Sequence, residues 1–406
     1  MRTAGIIAEY NPLHKGHKYH IRKSRECAQA DAIIALISSN FTQRGEPAIL
    51  DKTQRAAMAL SSGADLVLEL PAAYSSCNAG VFADAAIDIL ASTGAVDCVS
   101  FGTESGPDKK NLFDAIAGLL NEEPDDFKES LKKFLASGYS FVRSRSMAIE
   151  EQIDGASELL KHPNNNLALS YIKRIRLKGY PLDTLAIERR GDAFHETETR
   201  GGEFASATAI REMAARNEFS EAMPFMPDEC AEILAASIKE GHAVIGRDRL
   251  WRAVKQAILR MSPEELSLVA EMREGLENRM RNRVYDADSY DSFVDMCTSR
   301  RYPRGRIQRY CAHLLLGLRH EQSRRYQKCG PQYIRVLGAN DIGRKILIRM
   351  RHTATLPVIS RSGGRISEAA WEIMRFERSS TEIWETLTDS PRGSSEARVV
   401  PILKNY

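Results

Sequence analysis

Residues 3–17 of the chain read TAGIIAEYNPLHKGH and form a strand–helix junction. The run Thr3–Ala8 is apolar and partly β-branched, which predicts a buried strand, and the periodicity after it predicts a helix over Lys15–Gln29. The first turn of a helix carries backbone N–H groups without partners and a partial positive charge. This junction therefore predicts a site for an anion such as phosphate.

Two histidines and a glycine stand at this junction, in the order His14, Gly16, His17. Their spacing brings both imidazoles to one side of the first helical turn, and Gly16 allows a ligand to approach the backbone closely. Such a pair can bind phosphate oxygens and stabilise charge that develops at phosphorus. A pair of capping histidines without a ligand is the alternative. A zinc site is less favoured, because His20 would complete the ligand set only with awkward geometry.

The alternation of strands and helices continues through the N-terminal half. Short apolar runs separated by helical patterns are typical of a parallel α/β sheet whose strands are buried on both faces. The further predicted strands are Asp31–Ser38, Asp65–Leu68 and Val96–Phe101, and the further predicted helices are Asp51–Ser62 and Ala79–Ala91. We therefore predict a Rossmann-like parallel-sheet domain over residues 1–220.

The C-terminal half, residues 221–406, is predicted to form a mostly α-helical domain. Beyond about residue 225 the strand signal fades and helical periodicity dominates. The predicted helices are Pro227–Lys239, Leu250–Arg260, Pro263–Arg281, Tyr290–Thr298 and Arg306–Leu318. Proline at the start of two of them suits a first helical position, where the missing N–H costs nothing.

Charge and composition narrow the class of protein. The 406 residues carry a net charge of only +3, but the segment 279–328 holds twelve basic and five acidic side chains. This asymmetry favours a polyanionic partner, with a solvated helix face as the alternative. No apolar run is long enough for a membrane span, and no apolar region before Glu9 predicts a secretory signal. The seven cysteines include no C-x-x-C pair, so we expect neither disulfides nor zinc, and a cytoplasmic protein.

A second helix start follows much later, where residues 206–211 read SATAIR. The hydroxyls of Ser206 and Thr208 and the free N–H groups of a first turn can hold β- and γ-phosphates, and Arg211 adds a bidentate cation. Alone, the segment is more typical of a simple N-cap. Together with the histidine pair it predicts a polyphosphate site.

These motifs resemble the HxGH nucleotidyltransferase superfamily, which pairs such a turn with a late S/T-x-x-R helix start. Within it, the chain resembles the bacterial tRNA(Met) cytidine acetate ligase family. The resemblance is carried by the segments NPLHKGH (11–17), NFTQRGEP (40–47), DLVLELP (65–71), FGTE (101–104), PNN (163–165), EGLENR (274–279) and RGRIQR (304–309).

The resemblance implies a two-step reaction. Acetate attacks the α-phosphate of ATP to give acetyl-adenylate and pyrophosphate, and the wobble cytidine of elongator tRNA(Met) then takes the acetyl group to become N4-acetylcytidine, with release of AMP. Residues 1–220 would be the catalytic domain and residues 221–406 the tRNA-binding domain. Mg²⁺ is expected because it normally accompanies ATP. A small-molecule nucleotidyltransferase and a non-catalytic RNA-binding protein on the same fold are the alternatives.

The resemblance also implies a set of site residues. Catalysis is assigned to His14, His17 and Arg44, the last of which is expected to orient acetate or the α-phosphate, with a surface loop arginine as the alternative. The ATP-binding residues are Ile7, Ala8, Glu9, Tyr10, Asn11, Pro12, Leu13, His14, Lys15, Gly16, His17, Lys18, Tyr19, His20, Gly102, Asn165, Arg189, Ser206, Thr208 and Arg211. Asn164 competes with Asn165, because a one-residue gap would exchange them.

The basic C-terminal segment fits the same interpretation, because arginine contacts to a phosphate backbone supply affinity for tRNA. The assigned tRNA contacts are Arg279, Arg304, Arg306 and Arg309. Tyr302, Tyr310 and Tyr326 lie among the arginines and could stack on an unpaired base, with packing in the core as the alternative.

Overall fold

A computed structural model describes residues 1–189, 204–272, 275–360, 366–393, 396 and 400–404. In these parts of the chain, one mixed sheet contains eight strands: β1 Thr3–Ala8, β2 Ala32–Ser38, β3 Leu66–Leu70, β4 Cys98–Thr103, β5 Asp183–Glu188, β6 Ile334–Ala339, β7 Val358–Ile359 and β8 Ile402–Leu403. The strand order is β5-β4-β1-β2-β3-β6-β7, and β8 pairs with β6.

The five strands of the N-terminal half are parallel. The alternating pattern predicts four of them, and β5 was not predicted. β1 lies in the middle of them, paired with β2 on one side and β4 on the other, so that Ala4 is opposite both Ile33 and Cys98. The chain therefore runs outward from β1 to β3 and then returns to the other side of β1. This reversal creates a crevice at the carboxyl ends of β1 and β4, where doubly wound sheets bind their ligands.

Helices cover both faces of the sheet and form most of the C-terminal half. In the described residues they are α1 Lys15–Ala28, α2 Lys52–Ser61, α3 Ala72–Ser75, α4 Ala79–Ser92, α5 Lys110–Glu122, α6 Asp125–Ala136, α7 Phe141–Gln152, α8 Ala156–Leu160, α9 Pro163–Lys178, α10 Ala207–Ala215, α11 Phe219–Ala222, α12 Asp228–Lys239, α13 Asp248–Arg260, α14 Pro263–Ser267, α15 Leu276–Arg283, α16 Tyr290–Cys297, α17 Arg304–Leu316, α18 His320–Cys329, α19 Asp341–Thr353 and α20 Glu368–Glu385. Short 3₁₀ helices occupy Pro107–Lys109 and Met223–Phe225.

The prediction of one helix over Pro263–Arg281 is wrong. The structure has two helices there, α14 and α15, because Glu271 and Gly275 have positive φ angles of 64° and 80° that a right-handed helix cannot contain. The segment after α14 instead pairs with the turn between α17 and α18, through the Ala270 N–H and the Leu318 carbonyl at 2.9 Å. Backbone pairing to a distant turn replaces the helical hydrogen bonds.

The C-terminal half is mostly helical, as predicted, but it also contributes the strands β6, β7 and β8 to the sheet. β6 lies between β3 and β7 in the strand order and is antiparallel to β3, with Glu69 opposite Arg335 and Leu66 opposite Ala339. One hydrophobic core extends from the N-terminal strands into the C-terminal helices. The division of the chain at residue 220 stays a prediction, although the two parts share this sheet.

A buried ionic cluster joins the two parts beneath β3 and β6. Lys52 pairs with Glu69, with Glu377 at 2.7 Å and with Glu396 at 2.7 Å, and Arg335 pairs with Glu396 at 3.2 Å. All five side chains are 1–2 % exposed. Burial opposes ionisation of Glu377, but Lys52 outweighs it and lowers the pKa of that carboxyl to about 2. The cluster therefore connects α2 and β3 to segments more than three hundred residues later in the chain.

No helix in the described ranges has both the length and the apolar character that crossing a bilayer requires.

Candidate active site

A cavity lies at the carboxyl ends of β1 and β4, where the strand order reverses. Most residues assigned to catalysis or ATP line it: Ile7, Ala8, Glu9, Tyr10, Asn11, His14, Gly16, His17, Tyr19, His20, Arg44, Gly102, Arg189, Ser206, Thr208 and Arg211. Five assigned residues do not line it, namely Pro12, Leu13, Lys15, Lys18 and Asn165. Leu13 is fully buried in the core, and Lys18 is on the exposed side of α1.

The two histidines cap the first turn of α1 and are thereby fixed in orientation. His14 is the N-cap, and its Nδ1 accepts a hydrogen bond from the Gly16 N–H at 3.1 Å. His17 Nδ1 accepts from the His14 N–H at 3.3 Å, and the two rings stack with centroids 3.8 Å apart. Because each Nδ1 is an acceptor, the proton of each neutral ring is on Nε2. Capping and ligand binding are therefore compatible, and each ring keeps an Nε2–H donor.

Burial keeps these imidazoles neutral at physiological pH. Desolvation, reinforced by the Arg189 cation, lowers the pKa of His14 to about 3 and that of His20 to about 4. Desolvation also lowers the pKa of His17, with added repulsion from His14 and Arg189. The site therefore offers neutral N–H donors, which bind phosphate without a fixed positive charge of their own.

The low pKa of His14 predicts a loss of stability in acid. The unfolded state, with an ordinary histidine pKa of 6.5, binds more protons than the folded state between about pH 6.5 and pH 3. The contribution of His14 is fully present above that window and is lost as the pH falls through it. We expect His14→Asn, which keeps an N-cap, to reduce the slope of unfolding free energy against pH by about 1 kcal/mol per pH unit between about pH 4 and pH 6.

Urea denaturation at several pH values measures this slope. The matched control is His352→Asn at an exposed position near the end of α19, which should leave the slope as in the wild type. Equal slopes for His14→Asn and the wild type would contradict the burial argument.

The start of α10 forms the opposite wall of the cavity. Ser206 is its N-cap and accepts from the Ala209 N–H at 3.1 Å. Arg211 donates to the Asn11 carbonyl at 2.6 Å, which ties α10 to the histidine turn. The two helix starts predicted from distant parts of the sequence thus lie on one cavity, and a helix N-terminus is a favourable place for an anion.

The loop after β2 carries Arg44 and closes a third side of the cavity. The Gln43 N–H donates to Glu9 Oε1 at 2.8 Å, so the loop is held to the end of β1. Desolvation raises the pKa of Glu9, although this hydrogen bond and the nearby cation of Arg44 act in the opposite direction. Arg44 therefore lines the cavity on a loop that is fixed to the end of β1.

Glu46 fixes the same loop to the C-terminal helices, and sequence patterns gave no indication of this role. One carboxylate oxygen accepts from Gln308 at 2.9 Å and from Arg247 at 3.1 Å, and the other accepts from Arg211 at 3.4 Å. Next to it, Gly45 has a φ of 76°, and an added Cβ would lie 2.3 Å from the Arg309 backbone. Only glycine fits this contact between the loop and α17.

The asparagine pair at the start of α9 has two different environments. Asn165 is fully buried, and its side chain accepts from the Glu104 N–H at 3.0 Å and donates to the Leu159 carbonyl at 3.0 Å. Asn164 lines the cavity and donates to the Glu104 carboxylate. The geometry thus does not support the assignment of Asn165 to ATP, and Asn164 replaces it in our proposal.

Substitution of each asparagine distinguishes the two roles. We expect Asn164→Ala to raise KM for ATP about tenfold with little change in stability. A tenfold change corresponds to the loss of one hydrogen bond of about 1.4 kcal/mol. We expect Asn165→Ala to lower the free energy of unfolding by about 1–3 kcal/mol, because it leaves buried polar groups unpaired. Steady-state kinetics and urea denaturation of both variants test this, and the reverse pattern would restore Asn165 to the ATP site.

Gly102, at the end of β4, leaves space for Arg189. A Cβ at Gly102 would lie 3.2 Å from Arg189 Cγ, which is a tight contact. Arg189 follows β5 and is held to β4 by its N–H, which donates to the Thr103 carbonyl at 3.0 Å. Both residues therefore lie on the cavity wall as assigned.

An apolar part of the cavity wall was missed by sequence reasoning. Phe82, Phe101, Leu167 and Tyr171 come from α4, β4 and α9 and line the cavity together. Tyr171 is 2 % exposed, and its ring centroid lies 6.1 Å from that of Phe101. Phe82, Leu167 and Tyr171 look like ordinary core residues in the sequence, and Phe101 stands in the FGTE segment without an indication that its ring faces a cavity.

The four arginines assigned to tRNA make contacts within the protein. Arg279 donates to the Met296 and Thr298 carbonyls, Arg304 pairs with Asp291 and Asp295, Arg306 donates to the Glu271 carbonyl, and Arg309 pairs with the Glu271 carboxylate. Tyr302, Tyr310 and Tyr326 are 6 %, 0 % and 1 % exposed and pack in the core. RNA would therefore compete with internal partners for these arginines, whose role in tRNA binding stays a prediction.

Comparison with known proteins agrees with the fold and the cavity. A family model described as HIGH Nucleotidyl Transferase matches residues 1–398. The doubly wound sheet, the histidine turn at its switch point and this match together define the class as a HIGH-type nucleotidyltransferase.

Similar proteins of known name identify the family within this class. The tRNA(Met) cytidine acetate ligase of Thermoanaerobacter sp. (strain X514) is 36 % identical over 363 residues, 89 % of each chain. The ligase of the same name from Syntrophomonas wolfei subsp. wolfei is 35 % identical over 404 residues, 96 % of each chain. The chain belongs to the tRNA(Met) cytidine acetate ligase family.

Two crystal structures share the whole fold. Thermotoga maritima TmcAL, 30 % identical and matched over the full length of both chains, superposes with a TM-score of 0.95 in an apo form and 0.92 in a form bound with alpha-thio ATP.

Proposed function

We propose that the chain activates acetate with ATP and transfers the acetyl group to the wobble cytidine of elongator tRNA(Met), which forms N4-acetylcytidine. The observation that carries this proposal is the convergence of two Nε2–H donors, a second helix start and Arg211 on one cavity. It is supported by the shared name of the relatives and by the ATP analogue that Thermotoga maritima TmcAL binds. That shared name favours neither a small-molecule nucleotidyltransferase nor a non-catalytic RNA-binding protein.

In the first step, an oxygen of acetate attacks the α-phosphorus of ATP. The new O–P bond replaces the bond to pyrophosphate, which leaves, and the product is acetyl-adenylate. His14 and His17 donate their Nε2–H groups to phosphate oxygens, where negative charge increases in the transition state. The N-terminus of α10, with Ser206, Thr208 and Arg211, holds the departing phosphates, and Arg44 orients acetate or the α-phosphate.

In the second step, the exocyclic N4 amine of cytidine attacks the acetyl carbonyl carbon. A C–N bond forms, the C–O bond to AMP breaks, and the amine gives up one proton. Neither step requires a protein nucleophile, so positioning and charge stabilisation supply the catalysis. The apolar wall of Phe82, Phe101 and Tyr171 excludes water from acetyl-adenylate, which would otherwise hydrolyse.

Mg²⁺ is assigned to the substrate ATP, whose phosphates it normally accompanies. The described residues contain no group of three His, Cys, Asp or Glu side chains placed to hold a metal ion, so the proposal gives it no separate protein site. The proposed location is the cytoplasm, where charged and uncharged tRNA are available as substrates.

The test is incorporation of labelled acetate into purified elongator tRNA(Met) in the presence of ATP, with N4-acetylcytidine identified by mass spectrometry of the digested RNA. A transcript with uridine at the wobble position is the matched control, because it lacks the N4 amine. Label in the first RNA alone supports the proposal. Pyrophosphate release without labelled RNA would overturn the assigned acceptor and leave the nucleotidyl chemistry in place.

A further inference from the structure

The α6–α7 hairpin extends from the body of the protein. Its base is anchored in the core by Phe127, Ala148 and Ile149, which are 0–2 % exposed. The two helices pack mainly on each other, and residues 135–143, which contain the turn between them, are all exposed. Helices of this length are about 18 Å long, so the turn is well separated from the anchored base.

Large apolar side chains are concentrated at this exposed turn. Tyr139 is 38 % exposed, Phe141 58 % and Val142 78 %, and Leu135 is 41 % exposed on the helix before them. Four such side chains within eight residues form a local apolar patch, which is unusual for a surface without a partner. Packing within the chain does not account for them.

The same part of the hairpin is basic. Residues 130–149 contain Lys132, Lys133, Arg143 and Arg145 and no acidic residue. The Arg143 guanidinium lies 4.6 Å from the centroid of the Tyr139 ring. The acidic side chains are grouped at the base, as Asp125, Asp126, Glu129, Glu150 and Glu151, and one of them, Glu151, pairs with Lys133 at 3.3 Å. Exposed aromatic rings among cations are the combination that binds unpaired nucleotides, by stacking and phosphate contacts.

The base of the hairpin is next to the rim of the active-site cavity. α7 packs on α8, and α8 packs on α9. The Leu159 carbonyl of α8 accepts from Asn165 at 3.0 Å, and the neighbouring Asn164 and Leu167 line the cavity. A macromolecule that reaches the cavity from this side therefore passes the hairpin.

We propose that the turn of the α6–α7 hairpin, with Tyr139, Phe141 and Arg143 at its centre, is a contact surface for a single-stranded loop of the RNA substrate. The aromatic rings stack on an unpaired base, and Arg143 with Lys132 binds the adjoining phosphates. This inference rests on the proposed tRNA substrate. It locates RNA contacts outside the C-terminal arginines, which have internal partners.

The test compares two double variants of the full chain. The hairpin variant combines Phe141→Ala with Arg143→Glu, which removes the central ring and reverses one charge. The α19 variant combines Ile348→Ala with Arg351→Glu, which makes the same kind of change on the exposed face of α19, where Ile348 is 57 % exposed. We expect the hairpin variant alone to raise Kd and KM for tRNA about tenfold or more. Acetate-dependent ATP–pyrophosphate exchange should stay unchanged, and the salt dependence of RNA binding should fall by about one unit in the log–log slope.

Four results would overturn the proposal while the wild type still acetylates tRNA. The first is a hairpin variant that binds RNA with wild-type affinity, and the second is an α19 variant that loses as much RNA affinity as the hairpin variant. The third is a hairpin variant that loses pyrophosphate exchange in parallel with RNA binding. The fourth is a wild type that self-associates and becomes monomeric in the hairpin variant. Val142→Glu, at the most exposed of these positions, repeats the comparison with one substitution. A wild type that fails to acetylate tRNA would instead count against the proposed function.

Discussion

Replacing His17 with alanine is expected to reduce acetate-dependent ATP–pyrophosphate exchange by about 10²- to 10³-fold in kcat, the usual effect of deleting one fixed donor to a developing oxyanion. The ring donates through Nε2 because its Nδ1 accepts from the His14 N–H at 3.3 Å. Exchange reports the first step alone, so the expected loss does not depend on how tRNA binds. KM for ATP should change less than kcat, because the donor acts most strongly on the transition state.

Lys23→Ala is the matched control, since Lys23 is on the same helix, has no assigned role in the site and does not line the cavity. Its exchange rate should equal that of the wild type. Thermal unfolding of both variants separates chemistry from folding, because the loss of a capping interaction costs only about 1 kcal/mol. A His17→Ala enzyme with nearly full exchange activity would remove this residue from the mechanism.

Replacing Lys52 with alanine is expected to lower the free energy of unfolding by about 3–5 kcal/mol, because it leaves buried carboxylates without their cation. Lys52 is 1 % exposed and contacts Glu377 and Glu396, each at 2.7 Å. Urea denaturation at neutral pH measures the change. Such a loss is a large fraction of the stability of an ordinary domain.

The control for this experiment is Lys23→Ala. Lys23 also pairs with a glutamate at 2.7 Å, but its side chain is 33 % exposed and that of Glu26 is 45 % exposed. Pairs that water screens contribute about 1 kcal/mol or less. An equal loss of unfolding free energy in the Lys52→Ala and Lys23→Ala variants would show that burial does not govern the strength of the ionic cluster.

The features that sequence could predict are those that depend on neighbouring residues. β1, the turn and α1 are adjacent in the chain, and the His14–His17 spacing alone brings the rings together, as their stacking at 3.8 Å confirms. The start of α10 was predictable for the same reason, because Ser206 caps the helix that contains Arg211. The two motifs together predict one polyphosphate site, and the structure places both helix starts on one cavity.

The remaining features depend on contacts between distant segments. The Glu46 carboxylate accepts hydrogen bonds from Gln308 and Arg247, which lie more than two hundred residues later in the chain. No local sequence pattern indicates such partners. The choice between Asn164 and Asn165 depends on the rotation of α9 about its axis, which fixes which one faces the cavity. β6 was missed because Arg335 within it looks like a surface residue, whereas Glu396 neutralises it in the interior.

The position of β6, Glu377 and Glu396 late in the sequence has a consequence for folding during translation. A ribosome releases the chain from its N-terminus, and early segments generally begin to fold first. Here β3 acquires its antiparallel neighbour, and Lys52 two of its carboxylates, only after nearly the whole chain has been translated. The nascent N-terminal half therefore has an unpaired sheet edge at β3, and a Lys52 with only Glu69 as its carboxylate partner, throughout most of translation. A ribosome that stalls before β6 releases a chain whose sheet lacks β6, β7 and β8.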